Sequence, residues 1–272
     1  MPQISVVMGT YNDNQIDAAQ AIDSILNQSF ANFEFIICDD GSEASYAGWL
    51  RSYCRKDPRI RLIRNRKNRG LAAALNQCLV YVQGEYVARM DADDRSAKKR
   101  LEKQAAFLKE HREYAFVGCN TRLFGEHGVW GKRKLEEAPC KYSFLDTSPF
   151  IHPAVMFRRK ALTACGGYCE SRLVLRAEDY ELFMRLYAAG QRGYNIQEML
   201  FDYREDWQAY RKRKYRYRIL ECAVRCVGFY RLGILKGNLR YAGKPLIVGI
   251  LPPSIMEKLH RKRFALRKDV GR

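Results

Sequence analysis

The sequence predicts an α/β protein, a parallel sheet covered by helices on both faces, with a basic C-terminal tail. Short apolar runs alternate with spacers of helix length through the first hundred residues, the pattern of successive βαβ units. Those runs lack clean polar alternation, as strands buried on both faces do. Lys and Arg then concentrate late in the chain.

The first run, ISVVM (4–8), is strand-like, and Ala18, Ile22, Ile25 and Leu26 behind it share one helical face. FEFIIC (33–38) is a second strand, a helical stretch around Trp49 to Tyr53 follows, and IRLIR (60–64) is a third strand. LAAALNQCLVYV (71–82) reads as helix and EYVARM (85–90) as a fourth strand, after which RSAKKRLEKQ (95–104) is basic and helix-like. Polar clusters follow the four strands: GTYN (9–12), DDGS (39–42), NRG (68–70) and DADD (91–94). Each alone is ordinary turn chemistry. In open α/β sheets, however, ligands bind beyond the carboxyl ends of the strands, so four clusters on that edge are better explained as a binding site.

With 272 residues, 47% of them hydrophobic, the chain is long enough for one large domain or two small ones. Nine cysteines, an odd number scattered through strand and helix segments, favour reduced thiols in a cytosolic compartment over a disulfide framework. The pairs Cys165/Cys169 and Cys222/Cys226 lack both the tight spacing and the histidine partner of a zinc half-site. No charged segment followed by an apolar one opens the chain, so no signal peptide is expected, and no apolar run reaches the roughly 20 residues that span a bilayer. Of the net charge of +18, residues 204–272 hold a surplus of 14, from 19 Lys and Arg against 5 Asp and Glu. Such a tail suits nucleic acid or an anionic membrane; its plainer explanation is a solvated helical face.

Asp91, Asp93 and Asp94 fall within four positions, and acids so close repel unless water, cations or a metal neutralise them. A hard divalent cation, Mg2+ or Mn2+, suits carboxylates at a strand end and takes substrate phosphates as its remaining ligands. An EF-hand is excluded because Arg95 and Ser96 occupy positions five and six, where the loop needs a ligand and a glycine. Neither a G-x-x-x-x-G-K-[ST] loop nor a G-x-G-x-x-G turn follows the first strand, which counts against an NTPase or a Rossmann dehydrogenase.

The series SVVMGTYN, SILNQSFANFEFIICDDGS, NRGLAAALNQCL, ARMDADD, HPAVMFRR and AEDYELFMRL resembles the family 2 glycosyltransferases, in order and over about residues 3–205. The resemblance implies the GT-A fold, a Rossmann-like, mixed and mainly parallel sheet. It divides residues 1–205 into a nucleotide-sugar half, about 1–95, and an acceptor half, about 96–205, with 206–272 as an extension. By the same resemblance Thr10, Tyr11 and Asn12 lie in the donor site, with Thr10 and Tyr11 cradling the nucleobase and the Tyr11 ring stacking on it. Asp40 and Arg69 would bond the base edge, Asp91 would lie near the ribose, Asp93 would hold the metal, and Asp179 would be the catalytic base. A helix N-terminus favours a carboxylate at Asp179, although the residue could also be a simple N-cap.

The chain departs from the family pattern in places. RSAKK stands where a proline often follows the D-x-D, and the Q-x-x-R-W of processive synthases is missing. With no membrane spans, one sugar per encounter is expected. Asp94 could join or replace Asp93 on the metal, and His152 could be a further ligand or an acceptor contact, although a lone histidine is more often structural. In the tail, WQAYRKRKYRYRI (207–219) interleaves aromatics with cations, PLIVGILPP (245–253) is apolar between prolines, and LHRKRFALRK (259–268) adds cations. A peripheral attachment to the cytoplasmic face of an anionic membrane, with a lipid-linked saccharide acceptor, explains that tail better than RNA does. The expectation is therefore an inverting, metal-dependent transfer of one sugar from a nucleotide sugar, a UDP-sugar first, in surface polysaccharide or glycan assembly. A nucleic-acid-binding scaffold and a metal-dependent nucleotidyltransferase remain as alternatives.

Overall fold

In the computed structural model, which describes residues 1–205 and 214–265, the first half of the chain is β1 (Ile4–Thr10), α1 (Gln15–Leu26), β2 (Phe33–Asp39), α2 (Ala44–Cys54), β3 (Ile60–Arg64), α3 (Leu71–Leu79) and β4 (Tyr86–Asp91). All seven residues of β1 are buried, as its apolar composition requires. Asn14 caps α1 by accepting the N–H groups of Ile16 and Asp17 at 2.9 and 3.2 Å, satisfying two donors that a helix start leaves open. α3 ends at Leu79, short of the expected 82, and Val80 and Tyr81 continue as turn.

The second half has β5 (Arg95–Ser96), α4 (Arg100–Glu110), β6 (Phe116–Gly125), β7 (Gly128–Arg133), β8 (Met156–Arg158), α5 (Arg159–Ala164), α6 (Glu178–Ala188) and β9 (Gly193–Arg204). Arg95 and Ser96 pair with β9 before the basic helix begins, so the segment expected to be wholly helical opens as a strand. Among the described residues the sheet has nine strands in the order β3-β2-β1-β4-β8-β6-β9-β5, with β7 on β6. β1 to β4 are mutually parallel, β8 runs antiparallel to β4 and β6, and β6 is parallel to β9. This is the mixed, mainly parallel sheet expected of a GT-A fold.

The register sets the edge of the site. Thr10 stands opposite Asp39, Gly9 opposite Asp91, and Asp39 opposite Arg64, so the carboxyl ends of the parallel strands finish level. Alternate residues of each strand feed two cores. Val7, Ile36 and Val87 pack towards α3 and α6, whereas Val6, Met8, Phe35 and Met90 pack towards α1 and α4. In the first core the Phe116 ring stacks on Phe183 at 5.3 Å. A Cβ at Gly193 would meet the Phe116 and Phe150 rings at 2.6 Å or less, so β9 must begin with glycine to pass them.

Three helices follow: α7 (Arg216–Arg231), α8 (Leu239–Val248) and α9 (Pro253–Phe264). They are not a detached tail, because Val224, Phe229, Leu232, Ile234 and Ala242 belong to the same buried core as Phe116 and Phe183. Arg225 is buried and donates to the carbonyls of Leu145 (3.1 Å), Tyr241 (3.2 Å) and Asp146 (3.3 Å), tying α7 to the body and to α8. The aromatic-cationic segment 207–213 and the end of the second basic stretch, 266–268, lie outside the described residues. All nine cysteines are free. No helix among the described residues is long and apolar enough to cross a membrane.

Candidate active site

The turn after β1 is held from within. The Thr10 hydroxyl, buried, donates to Asp13 Oδ2 at 2.7 Å and also pairs with the Tyr46 hydroxyl. Thr10 therefore supports the turn through its hydroxyl. Tyr11, 47% exposed, presents its ring to solvent. Asn12 sits at φ 51° and joins two turns, its N–H donating to Ser42 Oγ (3.0 Å) and its side-chain oxygen accepting the Glu43 N–H (2.8 Å).

Asp40 has a similar inward role. It is buried and accepts from Asn65 Nδ2 (2.7 Å) and from the backbone N–H groups of Arg69 (3.0 Å) and Gly70 (2.7 Å). Asp40 and Arg69 do meet, but through the Arg69 backbone; the Arg69 guanidinium pairs with Glu170 at 2.9 Å. Gly41 makes this packing possible. At φ 77° a side chain is strained, and a Cβ would sit 2.5 Å from the Lys67 carbonyl carbon.

Beyond β4 the carboxylates of Asp91, Asp93 and Asp94 offer oxygens within 4.8 Å of one another. Asp91 is paired with the wholly buried guanidinium of Arg89, one turn of pleat below it. Asp94 is 1% exposed; its Oδ1 accepts the Arg204 N–H at 2.7 Å, while Oδ2 is buried without a hydrogen-bond partner. Arg204 also bonds the Asp93 carbonyl at 3.3 Å and pairs with Asp17, so the end of β9 braces the acidic turn.

Crowding is visible in the acids' proton affinities. Desolvation, then Asp91 and Asp13, push Asp93 up to about 7. Desolvation, then Asp93 and Asp91, raise Asp94 well above the usual carboxylate range. Asp13 is raised as well, chiefly by burial. An oxygen-only donor set, an unpartnered buried oxygen and carboxylates raised by burial and by one another together fit a hard divalent cation.

Asp179 is the second residue of α6, half-buried, with Ala177 at the cap position; the simple N-cap explanation is therefore wrong. Its charge reaches Tyr168 and Glu178, and burial followed by that charge raises Glu178. Tyr168 bonds His152 Nε2 at 2.9 Å, and Arg89 acts electrostatically on both. Arg89, Asp179 and Asp91 all act electrostatically on Tyr168. His152 is buried, bonded to Tyr168 and outside the carboxylate group, and burial, then Arg89, lowers its pKa well below the usual imidazole value.

Sequence reasoning missed Asp13, Arg89, Arg204 and Glu178. Asp13 follows GTYN directly, and Arg89 is a cation inside an otherwise apolar strand two positions before an acid; both were readable clues. Nothing local points to Arg204. A cavity of about 460 Å³ lies at the opposite edge near Glu34 and Arg61, away from these groups.

Residues 5–166 match the Glycosyl transferase family 2 model, and residues 86–259 match that of Glycosyl transferase family group 2. A Bacillus subtilis chain bearing the name of a glycosyltransferase, EpsE, is 39% identical over 269 residues, covering 98% of this chain and 96% of its own length. The Escherichia coli UDP-Gal:alpha-D-GlcNAc-diphosphoundecaprenol beta-1,3-galactosyltransferase is 32% identical over 208 residues, 75% of this chain and 74% of that one. Among solved structures, mannosyltransferase PcManGT from Pyrobaculum calidifontis in complex with GDP-Man and Mn2+ superposes with a TM-score of 0.64 at 17% identity, covering 96% of this chain and 80% of the other. The fold is that of a GT-A glycosyltransferase. The chain belongs to glycosyl transferase family 2.

Proposed function

We propose that this glycosyltransferase moves one sugar from a nucleotide sugar, a UDP-sugar first, to a hydroxyl of a saccharide carried on a lipid diphosphate, with inversion, in polysaccharide assembly. The observation that carries the reading is the carboxylate group at Asp91, Asp93 and Asp94, set on the same strand edge as Tyr11, with Asp179 and Asp91 both in electrostatic reach of Tyr168. The relatives' names support the choice of donor and acceptor: one acts from UDP-Gal on a diphosphoundecaprenol-linked sugar.

Asp93, with Asp91 or Asp94, would hold a divalent cation, Mn2+ or Mg2+, whose chemistry is to offset the charge that builds on the departing diphosphate. Tyr11 offers an exposed ring on which a base can stack. Asp40 keeps the Arg69–Gly70 turn closed beside it. Asp179 accepts the proton of the acceptor hydroxyl as that oxygen attacks the anomeric carbon from the face opposite the leaving group, which inverts the centre.

The test is a panel of sugar nucleotides incubated with Mn2+ and with chelator, with products separated. Metal-dependent release of a nucleoside diphosphate from one donor supports the reading. Release of pyrophosphate would identify a nucleotidyltransferase instead. Proton NMR of the glycosidic product then checks inversion.

A further inference from the structure

α7 and α8 form an antiparallel hairpin: Arg225 of α7 bonds the Tyr241 carbonyl, and Tyr215 at the opposite end bonds that of Leu246 at 3.3 Å. Its inner side is core. Its outer side is apolar, with Ile219, Val227 and Tyr230 on α7, Leu239 and Ile247 on α8, and Ile250 just beyond, each more than half exposed. A globular protein of this size seldom leaves so many large apolar side chains on one pair of helices in water.

Within these helices the charges are almost all positive, and the body adds Glu181, paired with Arg231, and Asp146, paired with Lys244. Glu221 and Glu257 are the only acids in residues 214–265. Glu221 turns inward to Arg218 and Arg225, and Glu257 pairs with Arg261 on α9. Lys214, Arg216, Lys236 and Arg240 are exposed at the hairpin's ends. Exposed apolar residues flanked by cations, with neither acid of the helices facing outward, match the composition of helices that lie in an anionic lipid interface. The same charges disfavour a symmetric pairing of two copies, which would set Arg216 and Arg240 against other cations.

We propose that the outer face of the α7–α8 hairpin docks on an anionic lipid bilayer, its apolar side chains entering the headgroup layer while its cations meet lipid phosphates. The placement suits the active site. α7 packs on α6, whose first turn carries Asp179, and Arg176, three residues before it, lies over the Tyr217 ring at 6.0 Å. Docking therefore brings the catalytic edge close to the bilayer surface. The inference stands on the hairpin itself and does not require the acceptor to be lipid-linked.

Flotation of the full-length protein with vesicles tests it, comparing phosphatidylcholine alone with a mixture containing about one third phosphatidylglycerol. Binding is expected to be at least tenfold tighter to the anionic vesicles at low salt and to fall sharply near 1 M salt, where the Debye length is about 3 Å. Because cations outside the described residues could also attract vesicles, the apolar variants decide. Ile247→Asp/Ile250→Asp on one helix and Tyr230→Asp on the other should each weaken binding tenfold or more, with nucleoside diphosphate release from the donor and the circular dichroism unchanged. Equal binding to both vesicle types, no binding at low salt, or wild-type binding by both variants would overturn the proposal. So would a dimer in light scattering that the same substitutions dissolve, since a second copy would then cover the face.

Discussion

The guanidinium of Arg89 is wholly buried and lies against the carboxylate of Asp91, which keeps 27% of its surface in water. A cation beneath the acidic turn offsets the repulsion among Asp91, Asp93 and Asp94. Arg89→Met would leave Asp91 over an apolar floor, at a cost of about 3 kcal/mol, the lower end for breaking a buried pair because Asp91 stays partly wet. Urea unfolding should show that loss, and Arg89→Met/Asp91→Asn should recover part of it. Wild-type stability of the single variant would mean that the pair does not hold the turn.

Asp93 and Asp94 are neighbours with different work. Asp94 is buried and anchors the Arg204 N–H, whereas Asp93 is exposed. Asp94→Ala should lower stability by about 1–3 kcal/mol, the cost of leaving a buried donor unpaired. Asp93→Ala should not lower the thermal midpoint, since it removes a carboxylate that Asp91 and Asp13 repel. Equal effects in thermal melts would contradict this division.

Asp93 also sets a pH dependence. Its pKa, up to about 7 in the folded protein, lies above the unfolded value of 3.8. Stability from its bound proton is full below about pH 4 and is lost as pH rises through about 7. Metal binding runs the other way, since the cation displaces that proton and gains affinity as pH rises. Metal-free protein should therefore soften between about pH 4 and 7, with a flatter profile in Asp93→Asn, while the rise in melting temperature on adding Mn2+ should grow over the same range. A rise independent of pH would count against Asp93 as the ligand.

Much of the donor edge was legible because it is local. Each polar cluster directly ends an apolar run, and a parallel register brings such ends level, so Tyr11, Asp40, Arg69 and the D-x-D acids could be placed on one edge from spacing alone. What escaped depends on distance or on side-chain direction. Arg204 reaches Asp94 across 110 residues. Whether Thr10 and Asp40 point outward or into their own turns is a matter of rotamer and packing, which the order of residues does not state. The three-residue β8, inserted antiparallel between β4 and β6, is too short to show a period. The basic tail concealed Val224 and Phe229, two core residues on a helix whose remaining positions are largely charged or exposed.

Asp179 sits in the first turn of α6 within electrostatic reach of Tyr168. As the proposed base it would act after the donor is bound, so Asp179→Asn should keep UDP affinity within about twofold and lower turnover by about 100-fold or more, the scale of general base catalysis. Calorimetry and steady-state rates measure the two separately. A parallel loss of UDP affinity would place Asp179 in the nucleotide site.

The central claim is that the acids after β4 bind the donor through a divalent cation. Calorimetric titration of UDP into the wild-type protein, with Mn2+ and again with chelator, tests it most directly when repeated on Asp93→Ala. The account predicts at least tenfold tighter UDP binding with Mn2+ in the wild type and no such gain in the variant. Equal affinity with and without Mn2+ in the wild type, or an undiminished gain in Asp93→Ala, would contradict it.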